Sequence, residues 1–89
     1  MLTLADIEEG LSKLNGWALD GQSISKEIEF KDFGETVAFL DKIKAIIDRE
    51  KHYPTIFIDE TRVRLILMTR AERGLSKKDF EIAEEIDKI

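Results

Sequence analysis

One proline divides this chain. Pro54 is the only proline among the 89 residues, and it closes the run Glu50-Lys51-His52-Tyr53-Pro54. Its ring fixes φ and removes the N–H, so no helix continues through it, and it biases Tyr53 toward extended backbone. Before it lies the longest helical pattern, from Phe33 to Ile47. After it, two segments alternate as strands do. His52, the only histidine, therefore falls where a long helix hands over to a strand. Its ordinary pKa lies near neutrality, so it is the first candidate for proton transfer on a rigid scaffold. Its other role would be a helix-terminal cation complementing the dipole.

The segments on either side complete the pattern. Thr3 with Asp6 is a capping box with Asp in place of Glu, and Leu4, Ile7, Leu11 and Leu14 recur at helical spacing until Gly16. Glu9 and Lys13 are spaced to pair across a turn. Trp17-Ala18-Leu19 predicts a short strand, and Asp20-Gly21 a hairpin turn. Ser23 to Phe30 predicts a second strand with Ile24, Ile28 and Phe30 on one face; Lys26 interrupts that face, which suggests an edge. Asp32 caps the long helix. Its apolar residues trace two stripes, Phe33, Val37, Leu40, Ile43 or Ala45, and Ile47 on one, Phe39, Ile43 and Ile46 on the other. Two stripes allow one side to face the sheet and the other a partner subunit, or a helix sunk deep in its own core.

Thr55 to Asp59 and Arg62 to Thr69 predict strands around the turn Asp59-Glu60-Thr61, with Val63, Leu65 and Leu67 facing the helices. Arg70 to Gly74 reads as a loop. Ser76 opens the last helix, with Asp79 three residues on and a buried stripe of Phe80, Ala83, Ile86 and Ile89. Glu84 and Lys88 are spaced to pair. The order is α-β-β-α-β-β-α. It predicts an α+β fold: a four-stranded antiparallel sheet with three helices packed on one face. Eighty-nine residues make a single domain, 1–89, with no room for a second core.

Composition narrows the function. A net charge of −5 argues against nucleic-acid grooves and anionic membranes. With no cysteine and one histidine, thiolate and His-rich metal sites are excluded. No signal peptide and no apolar run near 18 residues is present, so the expected location is cytoplasmic. A 37% charged content with only Asn15 and Gln22 as amides follows the thermostable trend.

Four fragments, in order and in register, point to a family: Gly16-Trp17, Phe30-Lys31-Asp32-Phe33, His52-Tyr53-Pro54, and Gly74-Leu75-Ser76-Lys77-Lys78-Asp79. Nearly end to end, the chain resembles the pterin-4a-carbinolamine dehydratases, also called dimerisation cofactors of a hepatocyte nuclear factor. The separation of Pro54 from Gly74 matches without a gap. The family pattern has a His-His-Pro core, a third histidine after the fourth strand and an aspartate in the last helix. The resemblance places these on His52, Pro54 and Asp79. Tyr53 stands at the second histidine and Arg70 at the third. An aromatic residue expected after the proline falls at Glu60 or Thr61 and is absent.

The implied reaction dehydrates a 4a-hydroxytetrahydropterin to a quinonoid dihydropterin. A proton leaves N5 and the departing hydroxyl gains one, which calls for an acid and a base near neutrality. The resemblance implies His52 and Asp79 as catalytic residues. It implies Tyr53, Pro54 and Arg70 as substrate-binding residues, and no metal or organic cofactor. Tyr53 can donate a hydrogen bond, but with a reference pKa near about 10 it is a slow acid. Arg70 is a permanent donor for an anion, a pterin carbonyl oxygen or Asp79. The alternative to a site role is structural: a surface ion pair of little worth for Arg70 and Asp79, or a helix-start carboxylate for Asp79 alone. The resemblance also implies a homodimer or homotetramer, joined through sheet edges and the second helix. Two function classes follow: an enzyme of the dehydratase type, or a non-catalytic binding or assembly module that keeps the fold.

Overall fold

The computed structural model describes residues 2–89. Its elements run α1 (Leu4–Ser12), β1 (Ala18–Asp20), β2 (Ser23–Glu29), α2 (Phe33–Glu50), β3 (Thr55–Asp59), β4 (Arg62–Leu67), a short 3₁₀ turn (Arg70–Glu72) and α3 (Lys77–Asp87). The predicted α-β-β-α-β-β-α order and α+β class hold. The sheet is four-stranded and antiparallel throughout, in the order β1-β2-β4-β3. No helix among the described residues is long and apolar enough to cross a membrane.

Local chemistry explains the helix starts. Thr3 and Asp6 form both halves of a capping box on α1. Asp32 accepts from the Glu35 amide at 2.9 Å and caps α2. Ser76 and Asp79 form the box on α3. These bonds satisfy amides that the first helical turn leaves unpaired.

The hairpins are tight. Asp20 pairs with Ser23, so the first turn is Gly21-Gln22, with Gly21 at φ +65°. The loop sits one residue later than the Asp20-Gly21 signal suggested, because the glycine takes the positive-φ position of the turn. Asp59 pairs with Arg62 around Glu60-Thr61, as predicted. That second turn is tied down from two sides. The Phe30 amide donates to the Thr61 carbonyl at 2.7 Å, and the buried Thr36 hydroxyl donates to the Glu60 carbonyl at 3.0 Å.

The core lies between the helices and the sheet face that carries Ile24, Val63, Leu65 and Leu67, all fully buried. Phe39, Ile43 and Ile47 from α2 and Ile82, Ala83 and Ile86 from α3 fill the other side. Several sequence expectations shift here. Lys26 does not mark an edge: β2 is a central strand, paired on both sides. Lys26 occupies the helix-facing parity between Ile24 and Ile28, and its ammonium is met there by Asp87 at 2.7 Å. Trp17 precedes β1 and is buried, its indole N–H donating to the same Asp87 at 2.9 Å.

The α2 stripes also separate. Phe39 and Ile43 face the core, joined by Ile47, while Phe33 and Val37 remain about half exposed. In α3 the turns bring Ile82 inward and leave Ile89 exposed; Glu84 and Lys88 do not pair among the described ion pairs. The first helix ends at Ser12, short of Gly16, whose φ of +76° serves the connection into β1.

Candidate active site

Three segments converge beside Pro54. The first is the end of α2. Lys51 adopts left-handed backbone, φ +54°, while its amide closes the helix on the Ile47 carbonyl at 2.7 Å. That reversal presents His52, with a side chain 17% exposed, to the start of α3. The second is the exit from β4. Strand pairing predicted to Thr69 stops at Leu67, and Thr69 instead bridges Gly74 through two backbone hydrogen bonds. The closed loop between them holds the 3₁₀ turn, and Arg73 at φ +53° completes it. The third is the α3 start, where the capping box turns the Asp79 carboxylate inward.

Asp79 is the hub. It is wholly buried, yet every contact suits an accepting carboxylate. Oδ1 lies 2.6 Å from His52 Nε2. Oδ2 accepts from the Ser76 amide at 2.9 Å and the Thr69 hydroxyl at 2.8 Å. Thr69 has one proton to give, and Asp79 takes it. The 2.6 Å contact between Thr69 Oγ1 and Ser76 Oγ is therefore a donation from Ser76. The line of donors runs from Ser76 through Thr69 to Asp79, and His52 approaches from the opposite side.

This arrangement assigns the ring. In the neutral ring, Nε2 donates to Asp79 and Nδ1 is the acceptor nitrogen. Nδ1 makes no hydrogen bond among the described residues, and none of the buried side-chain nitrogens or oxygens there lacks a partner. Nδ1 is therefore not fully buried. Beside the ring is a depression of about 310 Å³ lined by Lys51, His52, Tyr53, Met68, Thr69, Arg70 and Ala71.

A second tie flanks the pair. Lys78, next to Asp79, donates to Glu50, two residues before His52, and Arg49 donates to both Glu50 and Glu85. The Lys78 ammonium, followed by Arg49, holds the Glu50 carboxyl below its ordinary value of 4.5. Glu50 in turn raises Lys78 above 10.5. The end of α2 and the start of α3 are thus joined twice.

Of the residues singled out from the sequence, His52 and Asp79 meet directly. Tyr53, 62% exposed, and Arg70 line the depression with His52. Arg70 does not bond Asp79 among the described ion pairs; Thr69 occupies that position. Pro54 is half-buried and does not line the depression; it ends the helix and admits β3. Thr69 was missed by sequence reading. Its one signal was a hydroxyl at the predicted end of a strand. Among the described residues, no three His, Cys, Asp or Glu side chains converge as metal ligands.

Comparison with known proteins adds to this geometry. The family model for pterin 4 alpha carbinolamine dehydratase matches residues 1–89. A relative from Sulfolobus acidocaldarius is 38% identical over 84 residues, covering 94% of this chain and 92% of its own. Another, from Sulfurisphaera tokodaii, is 39% identical over 88 residues, covering 99% and 95%. Both carry the name pterin-4-alpha-carbinolamine dehydratase, a naming that is itself provisional. The crystal structure of a transcriptional coactivator/pterin dehydratase from Brucella melitensis superposes with a TM-score of 0.93 at 29% identity, covering 98% of this chain and 95% of that one. A pterin dehydratase-like protein described as a RuBisCO assembly factor in the alpha-carboxysome shares the fold, with a TM-score of 0.72 at 22% identity, over 85% of this chain and 90% of that one.

Proposed function

The chain belongs to the pterin 4 alpha carbinolamine dehydratase family, and on that premise we propose that it dehydrates a 4a-hydroxytetrahydropterin. One observation carries the reading: the only imidazole of the chain is held by a fully buried carboxylate and lines a surface depression. In the proposed step, His52 Nδ1 takes the proton from N5 of the pterin. The N5 electron pair forms the C4a=N5 bond as the C4a–O bond breaks. The departing hydroxyl takes the proton back from the imidazolium and leaves as water. Asp79 orients the ring and offsets its charge during the transfer. Tyr53 and Arg70 contribute donors to the bound pterin, and Pro54 holds the turn that places His52 and Tyr53.

A second reading has its own support. Tyr53 and Arg70 stand where the family pattern has its second and third histidines, so one histidine does work that usually falls to two. A non-enzymatic binding or assembly module would keep this fold without turnover. Dehydration rates of the unmodified protein, His52→Ala and Arg70→His separate the two. The enzyme reading expects His52→Ala to lose about 10²–10⁴ in rate, and Arg70→His to gain a titrating group and raise kcat, measured at saturating pterin. Equal background rates in all three would leave the module.

The proposal extends to the protein's state. It is a cytoplasmic homodimer or homotetramer, and heat-stable, with a melting midpoint above the usual mesophile range of about 45–65 °C. The apolar groups left exposed on β3 and α2 and the high charge content support this.

A further inference from the structure

The depression beside His52 differs in charge from four other surface depressions. The chain carries 19 acidic residues against 14 lysines and arginines. Four other surface depressions each include at least one carboxylate: Asp6, Glu27, Glu50 or Glu72 among them. The His52 depression has none, and it has two cations, Lys51 and Arg70. Neither makes an ion pair among the described residues, and both are exposed.

The two carboxylates bonded around His52 and the end of α2, Asp79 and Glu50, are already engaged. Asp79 lies behind the imidazole, wholly buried, with three donors around it. Glu50 is taken by Lys78 and Arg49. The backbone under each cation is also fixed. Lys51 sits at the helix terminus in its left-handed conformation, and Arg70 opens a 3₁₀ turn closed by the Arg73 amide on its carbonyl at 3.1 Å. A guanidinium offers a planar fork that matches a carboxylate or phosphate, and an ammonium adds a point charge.

We propose that the pterin taken at this site carries an anionic side chain, a phosphate or a carboxylate, held by Arg70 and Lys51 while the ring meets His52. This names the substrate class of the dehydratase reading and rests on it. It also gives Arg70 a task that a histidine would do poorly: a permanent charge holds an anion at any physiological pH, whereas an imidazole is charged only in part.

Binding titrations on the full chain test it, using stable oxidised pterins followed by their fluorescence. The probes are a pterin with a hydroxymethyl side chain, the same pterin phosphorylated there, a pterin carboxylate, and inorganic phosphate. The expected result is about tenfold tighter binding of one or both anionic pterins than of the neutral one, as charge-assisted contacts give. That ratio should shrink toward one in Arg70→Gln and Lys51→Gln and as salt rises. The phosphorylated and carboxylate probes show which anion the site prefers. Equal affinity for neutral and anionic pterins would overturn the inference and leave the dehydratase reading standing. So would a preference that survives the Arg70→Gln/Lys51→Gln double substitution. Binding of inorganic phosphate with no pterin binding would overturn the dehydratase reading, and this inference with it.

Discussion

Asp87, the last residue of α3, accepts three donors: the Asn15 amide, the Trp17 indole and the Lys26 ammonium, at 2.8, 2.9 and 2.7 Å. Lys26 and Asp87 are 17% and 12% exposed, so their attraction is poorly screened and their separation would be costly. Asp87→Ala strands a cation and two N–H groups and is expected to cost about 3 kcal/mol in urea unfolding. Lys26→Met leaves Asp87 two donors and should cost much less. Thr69 presents a similar case at the site. Thr69→Val removes a donor from buried Asp79 and should cost about 1–3 kcal/mol by the same measurement, while Thr69→Ser retains the hydroxyl and most of the stability. Neither partnership could be read along the chain. Lys26 looked like a misplaced charge because its partner is 61 residues away, and Thr69 looked like the end of a strand.

At the scale of elements, α1 and α3 meet at Gly10. A methyl group there would come within 2.6 Å of the Phe80 ring. On propensity alone, Gly10→Ala in a helix should gain about 1 kcal/mol. Packing opposes this, because the Phe80 ring would have to shift to admit the methyl group, and such overpacking costs about 1–3 kcal/mol. The expected outcome is a lowered melting midpoint, checked by thermal unfolding. The tie between α2 and α3 should show in acid. Glu50 is held below 4.5 when folded, by Lys78 first and Arg49 second. A lowered carboxylate contributes stability above its ordinary value, and that stability is lost as pH falls through the folded pKa. Lys78, raised above 10.5, contributes below that value and loses it as pH rises through its folded pKa. Glu50→Gln should therefore flatten the dependence of the melting midpoint on pH on the acid side of 4.5. Element types and order were legible because caps, turn glycines and apolar periods are local signals. Boundaries slipped where a tertiary contact ended an element early, as when Thr69 left β4 for Gly74.

For the whole molecule, the exposed apolar groups bear on assembly. Phe57 and Ile58 on the edge strand β3 are 56% and 50% exposed, and Phe33 and Val37 on α2 are 55% and 47%. A small core gains stability by covering such groups. Light scattering at micromolar concentration should give a dimer or tetramer mass; a monomer mass would refute the proposed assembly. The sequence by itself determined the α+β class, the element order, two capping boxes, the second hairpin turn and the importance of the Pro54 boundary. Each rests on residues within a few positions of one another, where backbone chemistry dominates. Only the tertiary structure decided which side chains meet. The order β1-β2-β4-β3 makes β2 central and turns Lys26 inward. The packing of α3 across the end of α2 brings His52 and Asp79, 27 positions apart, to 2.6 Å. Such pairings depend on strand order and helix docking, which are set by burial of the core as a whole, so no stretch of the chain encodes them alone.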